Sequence, residues 1–271
     1  MRSLLTDGRP VGPSDSPRLS VRPSDRPTPL AWTLILEPHG RAGATNMAID
    51  QVLLGEAART GRAFLRLYRF DPPCLSLGRN QSTAAYDRAA ITRLGVDVVR
   101  RPTGGGAVWH QHEVTYAVAA PIATFGSPRA AYRSIHARLA AAVRALGVEA
   151  TLAPHRGTGE RGWACFTTAV GGEVVVGDGK LVGSAQVRHG AAFLQHGSIL
   201  LDGSQEVVRV VSRQSSVVGG ETTLSAALGR PVAFAEVANA IVATWDDRLD
   251  PSDGPTVQRS DFHDLTWTWR R

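Results

Sequence analysis

Residues 180–201 run Lys180-Leu-Val-Gly-Ser-Ala-Gln-Val-Arg-His189, Gly190, then Ala191-Ala-Phe-Leu-Gln-His-Gly-Ser-Ile-Leu-Leu201. Lys180 to Val187 and Ala191 to Leu201 read as two strands folded back on each other, because a His-Gly turn separates two apolar runs of strand length. Upstream, Glu173 to Val176 ends in Gly177-Asp-Gly179, a second turn, so this half of the chain reads as an antiparallel meander. Further out, strands are expected at 32–36, 64–70, 74–77, 96–100, from Ala107 and at 114–120, with helices at 46–59 and 86–94. The clearest helix is the alanine-rich stretch from Pro128 to Leu146, which Gly147 stops. Helices at 205–211, 223–228 and 234–248 follow, then a tail bearing Trp267 and Trp269. Strands and helices mix without regular alternation. That predicts an α+β fold with a mostly antiparallel sheet flanked by helices, not a doubly wound parallel sheet.

The chain has 271 residues, 30 basic against 24 acidic side chains, and a formal net charge of +6. With 43% apolar and 20% charged residues, it has the composition of a globular protein able to bury a core without staples. Residues 1–30 carry Pro10, Pro13, Pro17, Pro23, Pro27 and Pro29 without apolar periodicity and are expected to be a disordered tail. Residues 31–271 are then expected to form one domain. Two cysteines are too few for a disulfide framework, and no signal-peptide order opens the chain, so a cytoplasmic location is expected. Apolar runs such as Ala117 to Ala120 are far too short to span a bilayer. The arginines are scattered and no nucleic-acid motif accompanies them, so the positive charge fits an acidic protein partner better. Of the basic residues only Lys180 is a lysine. Either composition left it by chance, or an amine is required there.

Two stretches could carry chemistry. In Arg100-Arg101-Pro-Thr-Gly104-Gly105-Gly106-Ala107-Val, three glycines behind an arginine pair can bring backbone N–H groups close to an anion or an acyl carrier. The competing reading is a flexible hairpin loop beside solvated arginines. Neither a nucleotide P-loop nor a dinucleotide fingerprint is present. The second stretch joins Cys165 to Lys180: on neighbouring strands, the ammonium would lower the thiol's pKa and favour the reactive thiolate. Alternatively Cys165 is a small buried hydrophobe, the reading that suits Cys74 in Pro73-Cys-Leu75 better still. His110 and His112 lack companions at ligand spacing, so no metal is expected. No nucleophile elbow of the Gly-x-Ser-x-Gly kind occurs.

Taken together, Arg101-Pro-Thr-Gly-Gly-Gly-Ala-Val-x-His110, Lys180-Leu-Val-Gly-Ser-Ala-Gln186 and Leu194-Gln-His-Gly-Ser198 are specific. With Asn46-Met-Ala-Ile-Asp50 and Leu75-Ser-Leu-Gly-Arg-Asn-Gln81 in order, residues 32–269 resemble the lipoate-protein ligase A and biotin ligase superfamily. Cys165-Phe166, fifteen residues before Lys180, is most similar to its octanoyltransferase branch of the LipM type. Gly106 and Gln111 stand where that branch carries Arg and Asp; Gly106 is the ligase-like choice.

The resemblance implies a single ligase-like catalytic domain and octanoyl transfer from acyl-carrier protein to a lysine of a lipoyl domain, in protein lipoylation. Cys165 would be the thioester nucleophile and Lys180 its activator. Arg101, Gly104, Gly105, Gly106 and Ala107 would line the pocket, with His110, Gly183, Ser184, Ala185, Gln186, His196 and Gly197 as further substrate-binding positions. The acyl chain would lie along apolar strand residues near Val182 and Leu194. Partners would be octanoyl-acyl-carrier protein and lipoyl-domain proteins such as the glycine cleavage H protein or 2-oxoacid dehydrogenase subunits. No cofactor is implied. ATP and magnesium enter only if the chain is instead an ATP-dependent lipoate ligase. The same motifs would also suit an octanoyl amidotransferase working between lipoyl domains, or a non-catalytic acyl-protein binding module.

Overall fold

The computed structural model describes residues 31–154, 166, 169, 171–212, 220–257 and 260–270. The expected tail and Cys165 lie outside the described residues. The elements, in chain order, are β1 (Trp32–Leu36), α1 (Gly43–Thr60), β2 (Ala63–Tyr68), β3 (Cys74–Leu77), α2 (Arg88–Leu94), β4 (Asp97–Arg100), β5 (Val108–His110), β6 (Glu113–Pro121) and α3 (Pro128–Ala145). There follow β7 (Ala150–Leu152), β8 (Val174–Val176), β9 (Gly179–Lys180), β10 (Val182–His189), β11 (Ala192–Leu200), α4 (Glu206–Val211), α5 (Leu224–Leu228), α6 (Phe234–Ala243), β12 (Leu249–Pro251) and α7 (Leu265–Thr268).

Six strands form the main sheet in the order β10-β11-β6-β2-β1-β12. The β10-β11-β6-β2 half is antiparallel, as the meander requires, whereas β1 pairs in parallel with both β2 and β12. Alternation along the strands divides the core in two, since successive side chains leave a strand on opposite faces. Leu65, Leu67, Tyr116, Val118 and Phe193 pack with Ile135, Leu139, Val237 and Ile241 of α3 and α6. On the other face, Phe64, Tyr68, Ala117, Ala119 and Leu194 pack with Met47, Ile49, Leu53 and Leu54 of α1. A smaller sheet, β4-β3-β5, sets the site beside α1. Helix α3 starts where expected because the Ser127 hydroxyl accepts from the Ala130 N–H at 3.1 Å, with Pro128 in the first turn.

Two expectations shift. Lys180 to Val187 is not one strand: Lys180 pairs with Val175 in β9, and the pairing with β11 begins at Val182. The helix expected over 234–248 ends at Ala243, where Trp245 turns into the core against Trp32, ring centres 5.3 Å apart. The tail bearing Trp267 is anchored, since Trp267 Nε1 donates to the Arg100 carbonyl at 2.9 Å. Among the described residues no helix is long and apolar enough to cross a membrane.

Candidate active site

A small cavity opens between the β10–β11 hairpin, α1 and the small sheet. Its wall includes Arg101, His110, Gly183, Ser184, Ala185, His196 and Gly197, seven of the positions singled out from sequence, together with Met47, Tyr68, Phe70, Ser76, Val108, Thr115 and Ser198. The hairpin register explains how two separate motifs meet. Gly183 faces Ser198, Ser184 faces Gly197, and Ala185 faces His196. Gly197 has to lack a side chain, since a Cβ there would overlap the Gly183 carbonyl oxygen and sit 2.5 Å from Ser184 Oγ.

Gly104, Gly105, Gly106 and Ala107 do not line this cavity. Arg101 donates from one guanidinium nitrogen to the Gly104 and Gly106 carbonyls at 2.7 and 2.6 Å, and from another to the Ser76 carbonyl and hydroxyl, each at 3.1 Å. The loop's carbonyls therefore turn in toward the arginine, a geometry Gly105 accommodates at φ +91°. Gly78 lies so close below the loop that a Cβ would overlap the Gly105 carbonyl oxygen.

Two buried polar chains meet the cavity. In the first, His196 Nδ1 is 2.8 Å from Asp50 Oδ2 and its Nε2 is 2.7 Å from Thr103 Oγ1. Asp50 also accepts from Arg66 and from the Tyr68 hydroxyl, each at 2.9 Å. Burial alone would raise the Asp50 carboxyl, but the His196 hydrogen bond and the Arg66 charge outweigh it and hold it below the usual carboxylate range. Burial pushes the His196 imidazole down. A neutral ring beside a carboxylate has one consistent arrangement, with Nδ1–H donating to Asp50 and Nε2 accepting from Thr103. In the second chain, His110 Nε2 lies 2.8 Å from Ser76 Oγ and Nδ1 lies 2.7 Å from Glu113 Oε1. Thr115 donates to the same carboxyl oxygen, and Phe70 stacks on the imidazole with ring centres 4.1 Å apart.

Lys180 is buried outside the cavity wall, its Nζ 2.7 Å from Glu173 Oε2 and 5.4 Å from the centre of the Phe166 ring. Phe166 packs against Val108, a cavity residue, and Leu200. Gln186 points away and donates to the Pro128 carbonyl at 3.1 Å. Cys74 is wholly buried, and burial, then Asp97, pushes its thiol well up, as suits a packing residue. Among the described residues no group of three His, Cys, Asp or Glu side chains could hold a metal. Sequence reasoning did not single out Ser76, Glu113, Glu173 or Tyr68. The available signal was an isolated charge in an apolar run: Arg66 in Ala63–Tyr68 needs the buried carboxylate that Asp50 supplies.

The family described as the lipoyl protein ligase A/B catalytic domain matches residues 42–246. Octanoyltransferase LipM of Symbiobacterium thermophilum is 38% identical over 236 residues, covering 78% of this chain and 84% of that one. Its namesake in Exiguobacterium sibiricum is 32% identical over 262 residues, covering 84% and 95%. Among solved structures, lipoate-protein ligase A bound with ATP superposes with a TM-score of 0.69 at 21% identity, covering 82% of this chain and 89% of that one. The bipartite lipoate protein ligase of Thermoplasma acidophilum gives 0.64 at 20%, covering 83% and 88%. At such identities the structural likeness establishes the fold alone.

Proposed function

The chain belongs to the lipoyl protein ligase A/B catalytic-domain family, and on that footing we propose that it is an octanoyltransferase acting in protein lipoylation. The donor is octanoyl-acyl-carrier protein, and the acceptor is a lysine of a lipoyl domain, such as that of the glycine cleavage H protein or a 2-oxoacid dehydrogenase subunit. Cys165 attacks the incoming thioester; the carbon–sulfur bond to the carrier breaks as the bond to Cys165 forms, and the acceptor amine then displaces Cys165 to give an amide. Splitting transfer through a covalent intermediate is what a nucleophilic thiol offers. The acyl group arrives already activated, so the route consumes no nucleotide.

The observation that supports this reading is the position of Phe166, the residue after Cys165. Its ring lies 5.4 Å from the Lys180 ammonium and packs with Val108 of the cavity wall. The net charge of +6 favours encounter with acidic carrier and lipoyl domains, so turnover should fall as salt rises.

Incubation with octanoyl-acyl-carrier protein without ATP, read by intact mass, tests the proposal. One octanoyl group gained by the protein, absent in Cys165→Ser, supports it. Turnover only with ATP and free acid would replace it with an ATP-dependent ligase, octanoyl exchange only between lipoyl domains with an amidotransferase, and no adduct or product with a binding module.

A further inference from the structure

We infer that Ser76 and His110 form a proton relay that accepts the proton of the acceptor amine when the acyl group is handed on, with Glu113 positioning the imidazole. The inference rests on the thioester reading above and assigns the one task which that reading leaves without a group. As the amine nitrogen bonds to the thioester carbonyl carbon and the carbon–sulfur bond breaks, the sulfur leaves as thiolate and the nitrogen must lose a proton.

Ser76 lines the cavity with His110 Nε2 2.8 Å behind its hydroxyl, and Glu113 Oε1 lies 2.7 Å from Nδ1 on the far side of the ring. If Nδ1–H donates to Glu113, Nε2 is left to accept from the Ser76 hydroxyl. Ser76 Oγ can then take the amine proton as its own passes to His110, and the imidazolium so formed sits beside a carboxyl group. Serine, histidine and acid in this order are the arrangement that activates a hydroxyl elsewhere. Here the hydroxyl relays a proton.

The other bases near the cavity are committed. His196 has Nδ1 on Asp50 and Nε2 on Thr103, and Asp50 is itself held by Arg66. Lys180 lies against Glu173 and is not in the cavity wall. His136 bonds Ser184 at 2.8 Å from behind the hairpin, and burial drives its pKa down to about 3. The charged and titratable groups facing the relay are Glu113 from β6, Arg101 through Ser76 and His196 from β11, with Cys74 opposite His110 in β3 and Tyr68 from β2 nearby.

The test follows the octanoyl-loaded protein as it is mixed with a lipoyl domain, in a single turnover, across the neutral and alkaline range. Ser76→Ala and His110→Gln should slow aminolysis by about a hundredfold or more, should slow acylation by octanoyl-acyl-carrier protein much less, and should recover rate at high pH, where the amine sheds its own proton. Equal slowing of both half-reactions, or a pH profile like that of the wild-type protein, overturns the relay and leaves a merely structural chain. A proton inventory on the unaltered protein covers the case in which both variants unfold: a bowed dependence on deuterium fraction supports two protons in flight, and a straight line overturns it. If the unaltered protein never carries an octanoyl group, the mass spectrum shows that the thioester premise failed, and the relay falls with it.

Discussion

Lys180 Nζ and Glu173 Oε2 stand 2.7 Å apart with both side chains closed to solvent, at 1% and 2% exposure. A pair this deep is kept at a desolvation cost, and removing one partner takes a close counter-charge from the other. Glu173→Ala should therefore lower stability by about 3–5 kcal/mol, read as a shift in the denaturant midpoint. Lys180→Arg retains the charge but must fit a planar fork between a carboxylate and the Phe166 ring. Its turnover should fall on the order of a hundredfold, the scale of a misplacement of about 1 Å. Unchanged turnover would show that the solitary lysine is an accident of composition.

Gly197 and Gly55 make opposite expectations for the same substitution. A Cβ on Gly197 would collide with the Gly183 carbonyl and Ser184 across the hairpin, so Gly197→Ala should cost about 1–3 kcal/mol and depress acyl transfer. Gly55 sits mid-helix on the exposed side of α1 with nothing within 4 Å of such a Cβ. Gly55→Ala should stabilise by about 0.5–1 kcal/mol and leave turnover alone. Thermal melts of the two variants decide the matter, and a tolerated Gly197→Ala would mean the hairpin can open.

Much of this arrangement is legible in the chain. The Gly183–Ala185 and His196–Ser198 motifs were expected on adjacent antiparallel strands, and their register brings them face to face at the cavity. The α3 boundaries follow from its serine cap and closing glycine. The supporting polar chains were not legible, because periodicity reports which face a side chain leaves from and not which distant group it meets. Asp50 and His196 are 146 positions apart. Ser76 in an apolar run looks like an ordinary position until β3 and β5 pair and set its hydroxyl against His110. The division of the strand at Leu181 escaped for a related reason, since Lys180 is taken by β8 and by the 220–222 segment, whose carbonyl and N–H groups it engages.

Arg100 ties the C-terminal segment to the floor of the glycine loop. Its guanidinium donates to the Gly78 and Gln81 carbonyls at 2.7 and 2.8 Å and to the Thr268 and Arg270 carbonyls at 3.0 and 3.1 Å. A lysine has one compact ammonium and cannot span both sides. Arg100→Lys should leave buried carbonyls unsatisfied at about 1–3 kcal/mol and speed amide exchange over 78–81 and 268–270 together. Faster exchange in only one of the segments would refute the clamp.

His136 makes folding sensitive to acid. Burial is the chief cause, with the Lys180 charge adding to it, and the folded imidazole is pushed from its ordinary 6.5 down to about 3. The unfolded chain binds a proton near 6.5 that the folded protein refuses until about 3. The contribution is thus fully present above the first value and lost progressively as pH falls toward the second. Asp50, also held low, acts in the same direction, but its loss begins only below the ordinary carboxylate range. From 6.5 down to the ordinary carboxylate range the buried histidines, His136 and His196, carry the effect. His136→Gln keeps a group able to bond Ser184 and removes the titration. Its stability should decline less steeply than that of the unaltered protein, by up to about 1.4 kcal/mol per pH unit, when denaturant unfolding is followed from pH 6.5 downward. Parallel curves for the two proteins would mean that the imidazole gains its proton in the folded state as easily as in the unfolded chain.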